Sequence, residues 1–168
     1  QWAKSLGCKV IGTVGSDEKI KIAKENGYDH VINYNKDNFA EKVKEITDGK
    51  GIPVVYDGVG KSTFDGSIEC LKLRGMMVSF GNASGPLDPV VVPKSIQPKG
   101  LYLTRPSIMQ YTTTREELEE ATNMVFEKFK SGDVKINIFK KYKLEEASKA
   151  HEDLESRKIT GPVVIIPN

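Results

Sequence analysis

Apolar positions along this chain keep two rhythms. Short apolar runs bounded by glycine or polar turns alternate with stretches where apolar residues recur every third or fourth position. Residues 9–14 are a short apolar run between Gly7 and Gly15, the pattern of a buried parallel strand. A helix over 17–26 follows, with Ser16 as its N-cap, Asp17 and Glu18 in the first turn and Gly27 as the stop. Residues 30–33 predict the next strand, and 38–47 a helix with Phe39, Val43 and Ile46 on one face, ended by Asp48-Gly49. Residues 53–56 form a third strand. Lys61-Ser62-Thr63 opens a helix through Cys70 whose inner face carries Phe64, Ile68 and Leu71. Residues 75–80 form a fourth strand, flanked by Gly75 and Gly81. Strands alternating with helices in this way imply right-handed βαβ crossovers and a mostly parallel sheet.

The pattern changes at Asn82. Gly85, Pro86, Pro89, Pro93 and Pro98 make 82–98 an irregular loop or edge segment. Leu101-Tyr102-Leu103-Thr104 alternates weakly as a strand. Thr114-Arg115-Glu116-Glu117 has the spacing of a capping box and opens a long helix to Lys130, closed by Ser131-Gly132. A strand over 136–139, a helix over 145–156 and a last strand over 163–166 complete the expected elements.

The order of these elements fits a Rossmann-like, doubly wound α/β fold entered at its second strand. Residues 1–14 read as a helix end, a glycine turn and a buried strand. The first strand and the glycine-rich loop that grips a pyrophosphate are missing ahead of them. In the usual 3-2-1-4-5-6 order the missing strand is central, so a gap is expected between the strands at 9–14 and 53–56. Ladder groups left buried and unpaired there would cost ~1–3 kcal/mol each. The chain is therefore expected to close the gap, borrow a strand or fold poorly, and to self-associate, helped by the edge strand at 101–104. With no initiator Met and no signal peptide, a truncated product or fragment is expected.

Composition narrows the classes. At 168 residues one domain with a sizeable core is expected. A net charge of +2, with basic residues scattered among acids, argues for solvated helix faces rather than a nucleic-acid surface. No stretch is apolar enough for a membrane span. Cys8 and Cys70 stand apart with no partner at metal spacing, so reduced, buried thiols in a cytoplasmic protein are expected.

Candidate chemistry gathers at strand ends. Thr13-Val14-Gly15-Ser16 ends its strand without the acid that would bind a free ribose 2′-hydroxyl, which leaves room for a 2′-phosphate. Lys19 lies one helical turn on, within reach of such a phosphate. It also reads as a solvated helix residue, and Asp17 and Glu18 would repel the phosphate unless they turn away. Tyr34, past the next strand, offers its hydroxyl to the same phosphate or its ring to adenine; a half-buried boundary aromatic is the alternative. Val54-Val55-Tyr56-Asp57-Gly58-Val59-Gly60 puts an acid and glycines at a strand's carboxyl end, where ligands sit in open α/β sheets, although a tight turn alone would use the same residues. Phe80-Gly81-Asn82-Ala83-Ser84-Gly85 has the same logic, with amides placed for a nicotinamide or its ribose. His30 and His151 stand in no triad spacing, and no catalytic side chain is assigned.

Several of these segments together resemble the zinc-free quinone reductase branch of the medium-chain dehydrogenases. They are Gln1-Trp2-Ala3-Lys4-Ser5-Leu6-Gly7, Gly12-Thr13-Val14-Gly15, Val31-Ile32-Asn33-Tyr34 and the segment from Val54 to Gly60. Met77-Val78-Ser79-Phe80-Gly81-Asn82, Leu103-Thr104-Arg105-Pro106-Ser107 and Ala150-His151-Glu152-Asp153-Leu154-Glu155-Ser156-Arg157 extend the likeness in order along the chain. The resemblance implies NADPH as cofactor, a quinone or enone as substrate and no metal. It implies that Lys19, Tyr34 and Arg157 surround the 2′-phosphate, supported by Gly15 and Ser16. Gly58, Val59, Phe80, Gly81, Asn82, Ala83, Pro106, Ser107 and Ile108 would line the ribose and nicotinamide. It further implies a homodimer through the strand at 101–104. Residues 1–135 would be the cofactor domain, and residues 136–168 a segment that packs on a substrate domain. A non-catalytic remnant that dimerises or binds nucleotide weakly is the alternative. Another Rossmann-type enzyme, such as a methyltransferase, is disfavoured by the ordered motifs.

Overall fold

The structure, a computed structural model, describes residues 1–156 and 159–167. The chain divides into two compact units, one of Lys9–Met124 and one of Gln1–Cys8 with Val125–Asn168.

In the first unit β1 (Ile11–Val14) pairs in parallel with β2 (His30–Asn33) through α2 (Glu18–Glu25). Helix α3 (Phe39–Ile46) then leads to β3 (Ile52–Asp57) and α4 (Phe64–Cys70) to β4 (Leu71–Ser79), which pairs in parallel with β3 on one side and β5 (Tyr102–Thr104) on the other. The strands at 30–33 and 101–104 fall where the apolar runs put them, and β5 lies at the sheet edge. The expected break is present: β1 and β3 belong to separate sheets.

Side-chain packing joins what the ladders do not. Ile32 of β2, Ala40 and Val43 of α3 and Cys70 at the end of α4 form one buried cluster, against which Ile11 and Val55 pack. Phe64, Leu71, Met77 and Leu101 form a second, and Val55 packs against both. Helix α3 thus seals the two sheets over a shared core. Asn38 caps it, its side-chain oxygen accepting from the amides of Ala40 at 3.0 Å and Glu41 at 3.4 Å.

Two local expectations within this unit are corrected. Ser16 does not mark the helix start: α2 begins at Glu18, with Asp17 at the cap position and no side-chain cap bond. Asp17 is drawn elsewhere, as described below. Strand β4 begins at Leu71 rather than Gly75, pairing with β3 at Leu71 and again from Met76. Arg74, in the bulge between, sits at φ 59°, a left-handed conformation that costs a residue with a Cβ ~1–2 kcal/mol. Segment 82–98 is largely irregular, with a short α-helix, α5 (Val92–Ser95), and a 3-10 turn that begins at Gln97.

Helix α6 (Arg115–Lys130) carries the expected capping box: Thr114 Oγ1 accepts from the Glu117 amide at 3.2 Å, and Glu117 Oε2 accepts from the amides of Thr113 and Thr114. The Thr113 hydroxyl also donates to Oε2, at 2.7 Å, and it, then the two amides, hold the Glu117 carboxyl below its usual range.

In the second unit α1 (Trp2–Ser5) is followed, after α6, by β6 (Lys140–Lys143), α7 (Ala147–Glu155) and β7 (Val163–Ile166). The strand expected at 136–139 is displaced to 140–143. Ile136, Ile138 and Phe139 are about half exposed, whereas Tyr142, between lysines, is 2% exposed and donates its hydroxyl to Asp153 at 2.6 Å. Cys70 is buried and free, and burial pushes its thiol up to about 11. Cys8, expected to be buried, is exposed in the connection between α1 and β1.

Candidate functional site

Because the paired strands are parallel, carboxyl ends lie together within each sheet, and the candidate residues lie in the loops leaving them. They form two groups.

At the ends of β1 and β2, the Tyr34 amide donates to Val14 O at 3.1 Å and Asn35 Nδ2 to Gly15 O at 2.7 Å. These bonds lay Tyr34 over the end of β1. A Cβ on Gly15 would stand 2.8 Å from the Tyr34 hydroxyl, so a side chain here would push the tip of the tyrosine aside. Lys19 enters α2 with its amide bonded to Ser16 O at 3.2 Å. The structure therefore brings Gly15 and Tyr34 together, with Ser16 and Lys19 on the following turn.

Of the two acids that counted against this reading, Glu18 stands exposed at the start of α2 and Asp17 is paired. Asp17 accepts from Asn33 Nδ2 at 2.7 Å and pairs with Lys36. Lys36, then Asn33, hold the Asp17 carboxyl below its usual range, and Asp17 raises the Lys36 ammonium in return. Asn33 is buried, and its Oδ1 accepts from the Asn35 amide at 3.1 Å. Asn33, Asn35 and Lys36 were not singled out from the sequence. Their partners lie 16 to 20 residues away, beyond any local spacing rule.

At the ends of β3 and β4 two loops are zipped together. Asp57 O accepts from the amides of Phe80 at 2.9 Å and Gly81 at 3.3 Å, Gly58 O from Ala83 at 3.3 Å, and Val59 O from Ser84 at 2.8 Å. The expectation that amides of this segment await a nicotinamide is corrected for these four, which are engaged by the neighbouring loop. A Cβ on Gly81 would fall 2.2 Å from Gly58 O, and one on Gly58 3.0 Å from the Phe80 ring. Gly58, Val59, Phe80, Gly81, Asn82 and Ala83 are thus brought together, with Phe80 55% exposed.

Past β5, Arg105 Nη1 lies 3.2 Å from Ser79 Oγ, 3.2 Å from Gly81 O and 3.1 Å from Asn82 Oδ1, bracing the end of β4. It stands beside the candidates Pro106, Ser107 and Ile108. Ser107 is occupied locally: its hydroxyl accepts from the Met109 amide at 3.4 Å, and its amide donates to Gln110. Arg157 lies outside the described residues. Among the described residues no group of three His, Cys, Asp or Glu converges as a metal-ligand set, and no helix is long and apolar enough to cross a membrane.

The ends of β1 and β2 offer a cation and a hydroxyl beside a close-approach glycine, and the ends of β3 and β4 offer two hydrogen-bonded loops. The arrangement suits an elongated phosphorylated ligand.

Comparison with known proteins gives consistent matches. Residues 1–127 match the family described as zinc-binding dehydrogenase. Quinone oxidoreductase of Salmonella typhimurium is 51% identical over 99% of this chain and 52% of that protein. Quinone oxidoreductase 1 of Escherichia coli is 48% identical with the same coverage. The crystal structure of Escherichia coli quinone oxidoreductase complexed with NADPH superposes with a TM-score of 0.93, at 48% identity over 99% of this chain and 52% of that one. The chain spans about half the length of the curated relatives it matches.

Proposed function

This chain belongs to the zinc-binding dehydrogenase family, and from that premise we propose that it forms the cofactor-binding portion of an NADPH-dependent quinone oxidoreductase. The observation that carries the reading is its close fold and sequence likeness to the corresponding half of the NADPH-complexed Escherichia coli enzyme.

The residues present fit that cofactor. The end of β1 carries no acid against a 2′-phosphate, and Asp17 is answered by Lys36. Gly15 opens the space that the Tyr34 hydroxyl borders. In this reading Lys19 supplies charge to the 2′-phosphate, Tyr34 supplies a hydroxyl, Gly15 and Ser16 allow close approach, and Arg157 completes the set. Gly58, Val59 and the segment Phe80 to Ala83 orient the nicotinamide and its ribose, with Pro106, Ser107 and Ile108 flanking them. Bound NADPH supplies reducing equivalents to a quinone or enone; the protein supplies binding and orientation, without zinc. The division at residue 135, a cytoplasmic setting and a homodimer through β5 belong to the same proposal. Tyr102 and Leu103 stand exposed on that edge strand, where a second copy would extend the sheet.

A second reading is favoured by the break between β1 and β3: the chain alone binds nucleotide weakly, or dimerises, without turnover. Joining this chain to the upstream half of the Escherichia coli relative and assaying NADPH oxidation with a quinone tests the two. Quinone-dependent oxidation that favours NADPH over NADH is expected. A folded chimera that binds NADPH and stays inert would leave the non-catalytic reading.

A further inference from the structure

The Asp57 carboxylate has no part in the cofactor reading, yet it is 5% exposed and is bonded to the turn that carries Gly58 and Val59. A charge this deep persists only when pairing or multiple hydrogen bonds replace its hydration. Neutral donors do so here. Oδ1 accepts from the amides of Val59 at 2.8 Å and Gly60 at 2.9 Å. Oδ2 accepts from the Ser67 hydroxyl at 2.8 Å. The Thr63 hydroxyl lies 2.8 Å from Oδ2 and 3.0 Å from Oδ1. Every donor comes from the turn after β3 or from the start of α4, so one carboxylate sets the shape of that turn.

The turn then sets its neighbour. Carbonyls of Asp57, Gly58 and Val59 receive the amides of Phe80, Gly81, Ala83 and Ser84. The Ser84 hydroxyl donates to Val59 O at 2.8 Å and accepts from the Ser62 amide at 3.0 Å. With Gly58 and Gly81 too close for a side chain on Gly81, the loops cannot slide without losing these bonds together.

We propose that Asp57 is a positioning residue: through the turn it organises, its carboxylate holds Phe80 to Ala83 in the register needed to seat the nicotinamide half of the dinucleotide. This rests on the cofactor reading above. The carboxylate faces protein donors and acts through the backbone, so it is not assigned an acid–base step. The adenosine end is held by a different set, Asn33, Asn35, Asp17 and Lys36. The effect of Asp57 is therefore confined to one half of the ligand.

Asp57→Asn tests this, because it puts an amide donor among four donors. Two readouts are taken on this chain: amide hydrogen exchange without ligand, and affinity for NADPH beside affinity for 2′,5′-ADP, which carries only the phosphorylated adenosine half. Exchange should speed up at 58–60 and at 80–84 and stay unchanged at 30–36. NADPH should weaken by about tenfold, the effect of losing a hydrogen bond to a charged group, while 2′,5′-ADP binding is unchanged. Faster exchange at 58–60 with 80–84 unmoved would overturn the proposal, as would equal weakening of both ligands. If the unaltered chain binds neither ligand, the cofactor reading fails, and the exchange result still decides whether Asp57 positions 80–84. Should Asp57→Asn not fold, Ser67→Ala removes one donor and is read in the same two ways, with smaller changes expected.

Discussion

At the ends of β1 and β2 the charges lie in water: the Asp17 and Lys36 side chains are 56% and 64% exposed. At the ends of β3 and β4 the Asp57 charge is buried and answered by amides and hydroxyls. Exposed pairs are screened by solvent and salt and add little to stability, but they set the local field that a phosphate meets. A buried, fully satisfied carboxylate does the reverse. It gives the ligand no direct charge and fixes backbone shape, so removing a donor is expensive. In the proposed reading the two ends divide two tasks, selection by charge and orientation by shape, and Val55 packs against the buried clusters of both.

The difference can be broken most severely at the shape end. Gly81→Ala drives a Cβ into Gly58 O and should cost ~3 kcal/mol, the upper range for overpacking, read as a lower denaturation midpoint with NADPH binding lost. Raising the pH should loosen both ends together. The Cys70 thiol lies in the cluster that α3 shares with Ile32, and burial pushes it from an ordinary 9.0 up to about 11. Its contribution is whole below pH 9 and is lost as pH rises through 11, by roughly 2–3 kcal/mol, and Cys70→Ala should remove that part of the slope in alkaline unfolding. Thr63→Val keeps shape but withdraws a hydroxyl from Asp57, and should cost ~1–2 kcal/mol in denaturant unfolding. At the charge end, Lys19→Ala should weaken NADPH by about tenfold and NADH far less in fluorescence titrations. Equal loss for both would remove Lys19 as the phosphate ligand. The smallest effect belongs to Asp17→Asn, which frees Lys36 from its partner and should raise NADPH affinity slightly at low salt and not at high salt.

Legibility in the sequence followed the same division. Strands β2 and β7 and the capping box of α6 were readable because their signals are local: an apolar run between turns, or a Thr and a Glu three positions apart. The strand expected at 136–139 misled because Ile136, Ile138 and Phe139 carry the stronger apolar signal. Pairing with β7 instead starts at Lys140, around the single buried Tyr142. Gly15, Tyr34, Gly58 and Gly81 were legible as strand-end residues, since parallel topology alone gathers such ends. The fastening of each end was not. Asn33 with Asp17, Asn35 with Gly15, and Arg105 with Asn82 are pairings between distant segments. Asp57 was visible as an acid at a strand end, but only its four donors show that it faces inward.

The most direct test of this separation is a titration of the chain with NADPH and NADH across a salt series. Saturable binding that prefers NADPH at low ionic strength, with the preference shrinking as salt rises and NADH affinity changing far less, is the predicted result. Equal affinity for the two cofactors at every ionic strength would contradict it.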